Sequence, residues 1–289
     1  MWLDVAIPPS RDIRLLRPPS LPKGERFETF ADAANIDRKN IARLMAQRSD
    51  LAAEIEKYEI ELTPGTSAIS ARASGRFRIY DIAERLRIEE EYEGPHEIAT
   101  IYLDAFSAGQ LHAAEIVRAH GALRSKLKRA GFPGSILTGG TEAAWIEKHG
   151  LWILHCHLLA IGVPEEAWDR LRKSLPNAGP AVALKVQALK DPAKQLSYCQ
   201  KFNSSHKPGK RLPNGKATMY RLPTARLIEW GDWVVNYRFE DFGFHFGARR
   251  RGGHIVPGLT VAARSLRRCN RRSIGPHPPK RSRPRYRSR

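Results

Sequence analysis

The sequence predicts an α+β fold, a central antiparallel sheet that carries an HxH strand, with helices packed on it and a helical N-terminal extension. Three observations predict it. Two apolar, aromatic-bearing segments within residues 135–162 flank Lys148-His149-Gly150, as the arms of a β-hairpin flank a tight turn. Val182, Leu184 and Val186 alternate with Lys185 and Gln187, the period of a half-buried strand. Amphipathic stretches of helical period lie between these strands.

Taken in order, residues 1–25 are proline-rich and irregular. Residues 28–62 read as helical, with Ile41, Leu44, Met45, Leu51, Ile55 and Ile60 at near-helical spacing, until Pro64-Gly65 ends the run. A second helix is expected around residues 79–90. Residues 1–95 therefore form a helical extension with no visible chemistry, a packing appendage. Ile98–Phe106 reads as a strand and residues 110–130 as an amphipathic helix that stops before Gly131. The hairpin follows, then a short helix at 164–175 and the strand at 181–189. Asp191-Pro192 starts another helix, with Asp as cap and Pro in the first turn, so residues 194–202 lie on it. The aromatic segment from Trp230 to Phe246 is read as core, and His206, His245 and His254 as structural or solvated. A sheet domain is expected over 96–248 and a basic, disordered tail over 249–289.

Composition narrows the classes. No stretch approaches the ~20 apolar residues of a membrane span, and the N-terminus lacks the pattern of a secretory signal, so a cytoplasmic protein without membrane partners is expected. Cys156, Cys199 and Cys269 form no paired spacing, which argues against a disulfide framework or a cysteine zinc site. The net charge of +19 points to a polyanionic partner. From Arg249 onward there are 14 basic residues and no acidic one, leaving +5 for residues 1–248. Cations along a flexible strand each displace a counterion from nucleic acid and add affinity without sequence choice.

Two motifs carry chemistry. His155 and His157 sit two apart on a strand, so both imidazoles project from one face while Cys156 and Leu158 point to the other. Such a pair can hold a metal ion or simply pack. The apolar flanks Leu154, Leu158, Leu159 and Ile161 favour the metal, because buried imidazoles are costly to desolvate without a partner. Tyr198 and Lys201 lie at i and i+3 on a helix, with Lys194 at i−4, so a cation stands beside the phenol. That arrangement favours the phenolate a tyrosine nucleophile needs, although a Tyr beside a Lys is also common without catalysis.

An apolar-flanked HxH strand followed about forty residues later by YxxK on a helix, in a basic protein, resembles the HUH endonucleases, in particular the single-tyrosine rolling-circle replication initiators of plasmids and phages. The resemblance covers residues 96–205. It implies that His155 and His157 hold a divalent ion, Mg or Mn, and that Tyr198 attacks a backbone phosphate with Lys201 neutralising charge. A covalent 5′-phosphotyrosine and a free 3′-hydroxyl result. It further implies single-stranded DNA, such as an origin hairpin, as substrate, with a host helicase and polymerase as partners. Phe202 stands where two-tyrosine members carry a second nucleophile, which points to a single-tyrosine enzyme. The family's third ligand comes from the hairpin partner strand, and Glu142 falls nearly opposite the histidines, whereas Glu147 lies nearer the turn. The preceding strand matches poorly, with Thr100 but also Asp104, and receives no catalytic role.

Other readings stay open. A transposase or relaxase would use the same chemistry, and a non-enzymatic nucleic-acid-binding protein would need only the basic tail. A metallo-β-lactamase-like zinc hydrolase continues as HxHxDH, but Leu159 and Ala160 occupy those last two positions.

Overall fold

The computed structural model describes residues 39–52, 55, 68–69, 71–176, 179, 181–192, 195–196, 199, 205–207, 220–251 and 254–258. In chain order, α1 (Ala71–Glu91) precedes β1 (His96–Ser107), α2 (Ile116–Ala130), β2 (Ile136–Ile146), β3 (Leu151–Ile161), α3 (Glu165–Ser174) and β4 (Leu184–Ala188). Then come β5 (Ser205–Lys207), β6 (Tyr220–Arg221), α4 (Thr224–Val234), β7 (Gly243–Phe246), β8 (Ala248–Arg251) and β9 (His254–Pro257).

The α+β expectation holds. β4, β1, β3, β2 and β7 run antiparallel in that spatial order, while β5 joins the turn end of β2 in parallel and pairs with β6. β3, the HxH strand, has a partner on each side. The β2–β3 turn is the expected one: Glu147–His149 form a single 3-10 turn and Gly150 closes it at φ 61°, a backbone geometry that favours glycine. α2 ends where the sequence says it should, at a left-handed Gly131, whose N–H and that of Phe132 satisfy the last carbonyls of the helix.

Strand alternation divides β3 between two layers. Leu154, Cys156, Leu158 and Ala160 are buried with β2, β1 and β7 side chains under α2 and α3, whose contributions include Leu123, Leu127, Trp168 and Leu171. Leu159 and Ile161 face the other way, into a cluster with Ile98, Ile136, Ile88 of α1, Leu196, Cys199 and Ile255 of β9. The aromatic segment is core as expected: Trp230, Trp233, Phe239, Phe242 and Phe244 are all buried.

The described residues between 39 and 91 pack on the sheet: Leu44 lies in one cluster with Leu154 and Trp233, and Ile88 lies on the opposite sheet face. One expectation needs correction: a disordered tail does not begin at Arg249, because 248–251 and 254–257 are paired strands. The charge of Arg250 is compensated within the fold. The Arg250 guanidinium meets the buried Asp81, which also pairs with the fully buried Arg85.

Glu84 fastens β9 to α1. Its carboxylate accepts hydrogen bonds from the Ile255 N–H (2.9 Å), His254 Nδ1 (2.9 Å) and Arg87 (2.9 Å). Burial pushes its pKa up, but the hydrogen bonds from Arg87, His254 and Ile255 outweigh that and hold it below the usual carboxylate value. A depressed carboxylate pKa stabilises the fold above the unfolded value and stops doing so as pH falls through the folded one. Glu84→Ala is expected to cost about 1–3 kcal/mol at neutral pH in denaturant unfolding, and the gap to the parent protein should shrink below pH ~4. A gap that stays constant across that range would contradict the assignment.

Candidate metal centre

Three side chains on one sheet face converge on a point. Glu142 on β2 is the cross-strand partner of His155, and Gly140, two residues before it, is the partner of His157. Glu142 Oε1 lies 2.8 Å from His155 Nε2 and 3.0 Å from His157 Nε2, and the two Nε2 atoms are 2.8 Å apart. Neighbouring ligands at right angles on a small divalent ion, with bonds of about 2.1 Å, stand about 3 Å apart. The three donor atoms form such a triangle.

Proton bookkeeping points the same way. His155 Nδ1 lies 3.3 Å from the Ile153 carbonyl, which only accepts, so Nδ1 carries a hydrogen there and Nε2 is the ring atom directed at Glu142. Burial pushes the Glu142 pKa up, but the hydrogen bonds and charge of His155 and His157 prevail and hold it well below the usual carboxylate range. Glu142 is therefore anionic. Its second oxygen, Oε2, is buried and has no hydrogen-bond partner among the described residues, as expected of a group whose compensating charge is an ion rather than a protein donor. The residues present fit a divalent cation.

A second layer fixes the ligands. Thr100 on β1 is the cross-strand partner of His157, and its Oγ1 lies 2.9 Å from His157 Nδ1. That contact holds the His157 ring with Nε2 turned toward the centre. Removing such a partner commonly costs 10–100-fold in metal affinity. Thr100→Val, nearly isosteric, is expected to weaken Mn binding by about that factor in calorimetric titration with the thermal midpoint little changed. Unchanged affinity would show that Thr100 only fills space.

Below the sheet, Cys156 points away from the centre. Its Sγ lies 2.9 Å from Thr141 Oγ1, which is 2.6 Å from His120 Nε2. Burial pushes the Cys156 thiol up to about 12, so it stays protonated and packs as an apolar group. His245 and His254 are likewise taken up elsewhere, by Thr138 (3.0 Å) and Glu84.

The structure thus brings together His155, His157 and Glu142 of the residues expected from sequence, and leaves Glu147 on the turn. Tyr198, Lys201 and Lys194 lie outside the described residues. Sequence reading missed Thr100, because only the β1–β3 register discloses its place beside His157. Comparison with known proteins finds no matching family model, no similar curated protein and no similar solved structure.

Proposed function

We propose that the protein is a metal-dependent, single-tyrosine DNA nickase of the HUH type, with a palm-like sheet, that initiates replication by cutting single-stranded origin DNA. The observation that carries this reading is the convergence of Glu142, His155 and His157 on one face of the central strand. A divalent ion, Mg or Mn, held by Glu142 Oε1 and the two Nε2 atoms, would supply Lewis-acid stabilisation of the charge that builds on a nonbridging phosphate oxygen.

The chain's own residues supply the rest. Ile153 and Thr100 hold the imidazole tautomers, and Glu142 contributes the negative charge that favours a cation over a proton. The Tyr198 oxygen attacks phosphorus, forming a P–O bond to the tyrosine as the bond to the 3′-oxygen breaks. The phenol loses its proton and the departing 3′-oxygen gains one. The products are a 5′-phosphotyrosine and a 3′-hydroxyl that a polymerase can extend. Lys201, one helical turn on by spacing, would favour the phenolate and offset phosphate charge. Support for Tyr198 comes from its neighbours. Leu196 and Cys199 are buried in one cluster with Leu159 and Ile161, on the sheet face that bears the histidines.

Incubation with pooled single-stranded oligonucleotides and Mn is expected to give a protein–DNA adduct that survives denaturant and fails to form after chelation. A broad pool that yields no adduct would overturn the nicking reading.

A further inference from the structure

We infer that the outward face of α2, on the side of the sheet opposite the metal centre, is a second nucleic-acid surface that takes the backbone of duplex DNA. The choice of DNA over another polyanion rests on the nicking reading; the surface itself does not. α2 is strongly divided. Ile116, His120, Leu123, Leu127 and Ala130 are buried against the sheet. The outer face presents Arg118, Lys128 and Arg129 around Gly121, Ala122 and Ser125, all exposed, and Ile116–Ala130 contains no acidic residue.

This charge is poorly neutralised. Among the described residues Arg118 meets one carboxylate, Glu115 at 3.7 Å, and both side chains stand mostly in solvent. A pair that open contributes little and is readily exchanged for a phosphate. α3 lies alongside, with Arg170 Nε donating to the Ala130 carbonyl at 2.8 Å; of the exposed cations in its last turn, Arg172 pairs with Asp169 at 2.6 Å, and Lys173 adds a further charge at the end away from Glu165 and Glu166. Residues 1–248 carry a net charge of only +5, so this cluster is a local concentration and not a general background.

Shape favours a backbone over a globular acidic partner. Nothing lies within 4 Å of a Cβ built on Gly121, so the middle of the helix is open to close approach between flanking cations. Beside it, a cavity of about 300 Å³ opens between α2, Leu175 and the β1 irregularity near Asp104, with Arg118 and Lys126 on its wall. A helix with phosphate-binding cations on both sides of a small-residue strip suits a rigid, regularly charged duplex. The single strand is left to the opposite, metal-bearing face.

The test uses the full chain. Acetylation of Lys126 and Lys128, read by mass spectrometry, is expected to fall several-fold when a blunt DNA duplex is present and to be unchanged by anionic phospholipid vesicles. The triple variant Arg118→Ala, Lys128→Ala, Arg129→Ala should reduce the slope of log affinity for duplex against log salt by about 2 to 3, since each phosphate contact contributes about 0.9. Alanine at these exposed helical positions preserves the fold, and Mn binding at the histidines serves as the check. Equal acetylation with and without duplex, or an unchanged slope, overturns the surface; protection by vesicles alone overturns it in favour of a membrane. Protected lysines without any single-strand adduct would sink the nicking reading and leave a duplex-binding surface. An adduct with unprotected lysines does the reverse.

Discussion

His157→Ala is expected to abolish metal binding and, with it, strand cleavage, lowering the rate by roughly 10³-fold or more, because charge stabilisation by the ion contributes several kcal/mol to the transition state. The substitution removes one of three candidate ligands and leaves the buried carboxylate of Glu142 facing a single imidazole. Glu142→Gln is the complementary variant. It keeps shape and volume while deleting the charge, so a loss of Mn affinity there cannot be assigned to a cavity. Nonspecific, salt-sensitive DNA binding should survive both changes, since the cations responsible lie elsewhere. Loss of cleavage and of that binding together would mean that the histidines maintain the fold and hold no metal.

Gly139→Ala should be the most disruptive small substitution in the sheet. The glycine sits on β2 opposite Leu158, and a Cβ there would lie 1.9 Å from the His157 carbonyl oxygen and 2.8 Å from Leu158 Cα. Both contacts are with backbone of the neighbouring strand, which cannot swing aside as a side chain can. The pair must separate where His157 is held, at a cost expected to exceed about 4 kcal/mol, beyond the common range for single substitutions. The variant is expected to be insoluble or to unfold at markedly lower denaturant concentration. Gly121→Ala provides the contrast: it is helical, exposed and open, so it should stabilise by up to about 1 kcal/mol. Parent-like stability of Gly139→Ala would contradict the β2–β3 packing.

The two ends of this contrast show what a sequence makes legible. The hairpin is local: Lys148-His149-Gly150 fixes the turn, the turn fixes the register, and the register sets Glu142 opposite His155. Gly131 marks the end of α2 for an equally local reason, the left-handed conformation it adopts. Thr100 is a different case. It reaches His157 across a pairing of strands 57 residues apart, with an irregularity between Tyr102 and Asp104 that no periodicity discloses. The strand at 248–251 was hidden by its own composition, because a run of arginines reads as solvated chain unless the buried acid that accepts one of them, Asp81 on α1, is known to lie nearby. Leu196 and Cys199 are buried on the metal-bearing face, yet Tyr198 and Lys201 themselves lie outside the described residues, so the nucleophile still rests on its motif.

The central claim is the covalent one, and peptide mapping of the trapped adduct tests it most directly. Protein incubated with Mn and cleavable single-stranded DNA should, after digestion of protein and nucleic acid, yield a peptide bearing a 5′-linked nucleotide on Tyr198. Tyr198→Phe should give no adduct while binding Mn with parent affinity. A nucleotide on any other residue, or an undiminished adduct in Tyr198→Phe, would contradict the account.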